Sequence, residues 1–326
     1  MPVTVSRDST QDLGSGAVSI AWPRVHRKLV LTPMFQREEI LNMSLTKNAV
    51  MSPATLAMPI KSWLQVGELD AIVQLTTRKS IEELDTVGTV HFARWVNLHD
   101  HNQIAFFSVF DGSLRQYIED FAKYMGPTFD LLFKHVVNAP PMPVQKNVDA
   151  FYDWIVANNL HVSGFYCAYP SLSVQDIRTA AGIVKGGVNT GKASPLTVVL
   201  TAKSPNHLAA ASQSVTQAWP KFCEAADSIG TLHSARFVPL GTTTLAYVSE
   251  YNGTLENHVQ DLSSRMGPLF DQILDNVVDS PPAPVQQNVP AFTKWISAHN
   301  IKPWWFFTAY PTLSVQDVRA LEAKAA

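Results

Sequence analysis

A chain of 326 residues with 46% apolar and 16% charged side chains is long enough for two cores and too apolar to stay unfolded. A net charge of −2, with no basic run beyond Arg24, His26, Arg27 and Lys28, argues against nucleic acid and charged membrane surfaces as partners. Two cysteines give neither a disulfide framework nor a metal spacing, and no stretch of about 18 apolar residues occurs, so a cytoplasmic protein is expected.

Residues 1–54 have no counterpart later in the chain, are rich in Ser, Thr and Arg, and read as an N-terminal arm. From there the chain is written twice. Gly88–Leu98 (GTVHFARWVNL) returns at Gly230–Leu240 as GTLHSARFVPL, and what surrounds each copy returns with it. The repeats are expected at 55–181 and 195–326, joined by a Gly-rich linker at 182–194.

Each repeat opens on an apolar strand, Thr55–Lys61 or Leu196–Lys203, followed by a helix. The repeated stretch then forms a hairpin with Ile104–Phe110 or Leu245–Tyr251. Asp111-Gly112-Ser113 and Asn252-Gly253-Thr254 close these hairpins, with Gly free to take positive φ and Ser or Thr placed to cap the next helix. The amphipathic helices that follow are expected to break at Met-Gly-Pro, where Gly ends one helix and Pro starts another. A Pro-rich turn leads to a helix holding Trp154 or Trp295, then to a last strand, Val162–Tyr169 or Trp304–Tyr310. The final helices carry Ser173 and Asp176, or Ser314 and Asp317, at capping-box spacing. Without the extra helices the order is βαββαβ. That order predicts an α+β fold of two tandem ferredoxin-like repeats, each with a four-stranded antiparallel sheet, packed face to face as an intramolecular barrel.

Two fused repeats of this kind resemble the dimeric α+β barrel superfamily, which includes antibiotic-biosynthesis-type monooxygenases, chlorite dismutases and dye-decolourising peroxidases. The resemblance spans the chain from about residue 55 and is one of architecture, with the HFARW and FDGSL stretches similar to sequences of the peroxidase branch. The Gly-x-x-Asp-Gly stretch of dye-decolourising peroxidases is absent. What the resemblance implies is an oxidoreductase, peroxidase-like or oxygenase-like, with haem the first cofactor to look for and a small apolar or aromatic molecule as substrate, held between sheet and helices.

The candidate catalytic residues are His91 and Arg94 and their counterparts His233 and Arg236. A separation of three puts His and Arg on opposite faces of a strand, so without a bulge only one type can line a shared pocket, and the arginines are the expected ones. Residues that differ between the repeats point to a specialised half. His258 stands opposite Tyr117, and Trp304 and Trp305 opposite Ser163 and Gly164, so His258, Trp305 and Tyr310 are the expected cofactor-binding residues, in the C-terminal half. No metal-ligand spacing is found, and a homo-oligomer is compatible with the pattern. The reading from a different class is a non-catalytic binding or assembly module whose interior is filled by its own side chains.

Overall fold

A computed structural model describes residues 50–188 and 191–325, so the expected arm lies outside the described residues up to residue 49. The first half holds β1 (Met51–Pro59), α1 (Val66–Val87), β2 (Val90–Leu98), β3 (Gln103–Asp111), α2 (Leu114–Phe133), α3 (Val148–Asn158), β4 (Gly164–Cys167) and α4 (Val174–Ala181). After a two-residue strand, β5 (Gly187–Val188), the same order returns as β6 (Ala193–Thr201), α5 (Pro205–Ile229), β7 (Leu232–Pro239), β8 (Thr244–Asn252), α6 (Leu255–Leu274), α7 (Val289–His299), β9 (Trp305–Thr308) and α8 (Val315–Ala325). Gly88 and Gly230, which open the repeated stretch, end α1 and α5 in the left-handed conformation at φ 70° and 69°. Ser113 and Thr254 cap α2 and α6 through the backbone N–H groups of Gln116 and Asn257.

The helices pass straight through Met-Gly-Pro, contrary to the expected break: Pro127 lies inside α2 and Pro268 inside α6. Proline removes the N–H that would bond to the carbonyl four residues back. Here a glutamine from the Pro-rich turn replaces it, Gln145 Nε2 donating to Lys123 O at 2.9 Å and Gln286 Nε2 to Ser264 O at 3.1 Å. A Cβ on Gly126 or Gly267 would collide with the Cγ of that same glutamine. The glycines therefore make room for the repair rather than ending a helix. Gly126→Ala is expected to expel Gln145 and lower stability by about 1–3 kcal/mol, read as a fall in the urea midpoint at unchanged slope.

Two antiparallel sheets form, in the orders β1-β3-β2-β9-β5 and β4-β7-β8-β6. The two hairpins are as expected, but the last strand of each half is exchanged. β4 pairs with β7, and β9 pairs with β2, so neither half completes a four-stranded sheet of its own. Hydrophobic period tells which face a strand buries and nothing about which neighbour it takes. The expected barrel is corrected as well. The sheets pack face to face across a small apolar cluster that includes Val96, Phe107, Val238 and Val248, yet they remain two separate sheets. Closure needs free edges, and here β1 and β6 are occupied. Leu160 and Ile301 donate their backbone N–H to Thr55 O and Thr197 O, each at 2.8 Å, while Asn159 and Asn300 accept from Thr55 N and Thr197 N.

Candidate functional site

The bulge that would let His and Arg share one layer is present in both halves. Val90 and Phe92 face the consecutive residues Phe110 and Val109, and Leu232 and Ser234 face Tyr251 and Glu250, so His91 and His233 are the extra residues. Strand exchange brings Tyr310, just past β9, to His91, and Tyr169, just past β4, to His233. The result is a continuous buried row. Asp111 Oδ1 lies 2.5 Å from His91 Nε2, His91 Nδ1 2.9 Å from Tyr310 Oη, Tyr310 Oη 3.0 Å from Tyr169 Oη, and Tyr169 Oη 2.6 Å from His233 Nδ1. His91 and His233 are 0% exposed.

Asp111, which also accepts the Val174 N–H at 2.7 Å, gives this row a direction. With the carboxylate accepting from His91 Nε2–H, the other ring nitrogen, Nδ1, accepts from Tyr310. Tyr310 then accepts from Tyr169, Tyr169 accepts from His233 Nδ1–H, and His233 Nε2 is left as a buried lone pair without a partner. The counterpart of Asp111 is Asn252, which accepts from Val315 N–H and has its Nδ2 unpartnered. One Asp-to-Asn difference thus breaks the equivalence of the two ends. Burial holds His233 down at about 3 and pushes both phenols well above their ordinary value of 10.0.

The arginines form a second network between the sheets. Arg94 Nη1 donates to Leu196 O and Thr197 Oγ1, each at 2.9 Å, and Nη2 to Ser249 O at 3.0 Å and to Glu250, whose other oxygen accepts from Ser234 Oγ. Arg236 donates from Nη1 to Ser108 O at 2.7 Å, and its Nε and Nη2 have no partner. Burial lowers both guanidiniums, Arg236 to about 10, with Glu250 opposing the shift. Glu250 was missed in the sequence, although a carboxylate within the apolar run LAYVSEY was a visible signal. Asp111 was missed because it reads as part of a turn.

The expected cofactor residues are not brought together. His258, on α6, stacks on Tyr251 at 4.0 Å with Nε2 3.5 Å from Ser249 Oγ, and burial depresses it to about 3. Trp305 is registered against Trp95 in the other sheet, and Tyr310 belongs to the His–Tyr row. These placements do not fit haem. His258, stacked on Tyr251, and Trp305 lie in different layers, and both are buried among packed side chains.

An enclosed apolar void does occur, between the first sheet and helices α2 and α3, lined by Ala54, Trp95, Phe106, Tyr117, Phe121 and Phe129. Its volume is about 10 Å³, room for one water. It is in the first half and not the C-terminal one. Leu196, with a larger side chain, stands where Ala54 does in the register of the second half. The wall residue Tyr117 donates to Ser108 Oγ at 2.7 Å, and Arg236 holds the carbonyl of that same serine from the other side of the sheet.

Among the described residues no helix is long and apolar enough to cross a membrane. No protein-family model matches the chain, and no curated protein does. Solved structures that resemble it include a putative monooxygenase from Lactobacillus acidophilus, 10% identical, at a TM-score of 0.30, covering 70% of this chain and 90% of that one. A second, from Fusobacterium nucleatum and of the same description, is 7% identical at a TM-score of 0.36, covering 82% of this chain and 97% of that one. At such scores the likeness carries no argument about activity.

Proposed function

We propose that this protein is an oxidoreductase that acts on a small apolar or aromatic molecule held between the first sheet and helices α2 and α3, with dioxygen or peroxide as oxidant. The observation that carries this reading is the row Asp111–His91–Tyr310–Tyr169–His233. Packing alone does not call for five ionisable groups in line inside a protein, and such rows are a means of moving protons. A proton arriving at His233 Nε2 can shift each hydrogen bond by one place and leave the positive charge on His91, beside the Asp111 carboxylate. Burial keeps His233 from retaining the proton, which suits it to pass the charge on. In this reading His91, His233 and Tyr310 belong to the relay. Arg236 acts on the pocket through Ser108, and Arg94 holds the two sheets in register. The two ferredoxin-like repeats, 55–181 and 195–326 with 182–194 between them, are then units that exchange their last strands to build one shared interior.

The test is oxidant consumption by the purified protein with a panel of small phenols and other aromatics. Tyr310→Phe is expected to lower turnover about 100-fold while the circular dichroism stays that of the parent. Ala54→Leu, which copies the second half and overpacks the void at a cost of about 1–3 kcal/mol, is expected to abolish substrate binding in a chain that still folds. Consumption of neither dioxygen nor peroxide across the panel would remove the enzyme reading. The non-catalytic reading is favoured by a different observation, the burial of both histidines and both tyrosines of the row together with a void of about 10 Å³, against the roughly 300 Å³ or more of ordinary ligand pockets. On that reading Tyr310→Phe costs stability only.

A further inference from the structure

We propose that Arg236 is the seat of a buried site for one small monovalent anion, of chloride size, enclosed between the two sheets. The argument is a comparison of the two arginines. Arg94 meets four acceptors, among them the Glu250 carboxylate and the hydroxyl of Thr197. The register places Val109 at the position of Glu250 and Thr55 at that of Thr197 on the Arg236 side. Val109 has no charge to offer. The Thr55 hydroxyl is itself buried and without a partner, as are Nε and Nη2 of Arg236. Thr55 is paired with Phe107, and the Arg236 guanidinium lies over the Phe107 ring at 5.5 Å, so the unpartnered donors flank the same ring.

Charge points the same way. Arg94 and Arg236 are 1% and 2% exposed and lie close enough to repel each other, while both Glu250 oxygens are taken by Arg94 and Ser234. One positive charge is left over in the interior. An isolated buried charge is costly unless it is paired, and a water molecule would fill the hydrogen bonds without supplying the charge. A small anion supplies both: it accepts from Nε, Nη2 and the Thr55 hydroxyl and neutralises the guanidinium. This inference does not depend on the oxidoreductase reading, since it concerns the folded protein without substrate.

The experiment follows thermal unfolding in sodium chloride and in sodium gluconate at equal ionic strength, gluconate being too large to enter. Chloride is expected to raise Tm by about 1–3 °C along a saturating curve, and gluconate to leave it flat. Val109→Glu supplies the missing carboxylate from within and is expected to abolish the chloride response. Should that variant not fold, crystals of the unaltered protein soaked in bromide give the same answer, with an anomalous peak expected within hydrogen-bonding distance of Arg236 Nη2. Coincident chloride and gluconate curves, a chloride response that survives Val109→Glu, or no bromide peak at Arg236 would each overturn the proposal.

Discussion

Glu250→Val is expected to destabilise the protein by about 3–5 kcal/mol, because it leaves the Arg94 guanidinium buried beside Arg236 with no carboxylate between them. Valine is what the first half carries at the equivalent position, Val109, so the substitution asks nothing new of the backbone. The loss is electrostatic rather than steric. It follows that Glu250→Val combined with Arg94→Leu recovers much of the stability, since removing both members of a buried pair is far less costly than removing one. Urea unfolding of the two single variants and the double variant measures this coupling. A double variant whose loss equals the sum of the single losses would mean that Arg94 and Glu250 do not act as a pair. The same carboxylate holds Ser234, so the single variant also frees a buried hydroxyl and adds to the loss.

Acid lability is the second large effect expected. His233 and His258 both have their folded-state values pushed from 6.5 to about 3 by burial. Between these limits the unfolded chain takes up protons that the folded one refuses, so unfolding gains protons and stability falls as pH falls. Above pH 6.5 both states are neutral at these residues and the contribution is flat. Each histidine removes about 1.4 kcal/mol per pH unit well inside the window, so two of them cost on the order of 5 kcal/mol by pH 4.5. His258→Tyr places at this site the residue found at its counterpart, where Tyr117 stacks on Phe110 at 4.0 Å and donates to Ser108. That variant is expected to lose about half of the extra acid sensitivity. Urea midpoints for both proteins from pH 4.5 to 7.5 provide the measurement, and parallel curves would show that His258 carries none of it.

Much of the local structure is legible in the residues themselves. The repeated GTVHFARWVNL and GTLHSARFVPL stretches form hairpin strands, Gly88 and Gly230 end the preceding helices, and Ser173 with Asp176 makes a full capping box. These features depend on nearest neighbours along the chain, which a sequence states directly. Met-Gly-Pro misleads for the opposite reason. Its proline is tolerated because Gln145 arrives from some twenty residues downstream to occupy the carbonyl left open.

Amino-acid order alone determined which hairpin strands are buried, where the capped helices begin, and that the chain is written twice; the differences Asp111 against Asn252 and Glu250 against Val109 are written there too, but without their partners. Only the tertiary structure decided what those differences do. Alternation assigns a side chain to a face, while hydrogen-bonding partners across a sheet are chosen by the packing of the whole layer. The exchange of β4 and β9 between the halves follows from that packing. It brings Tyr169 to Tyr310 across 141 positions of sequence and, with a one-residue bulge at each histidine, turns two separate His–Tyr pairs into a single row.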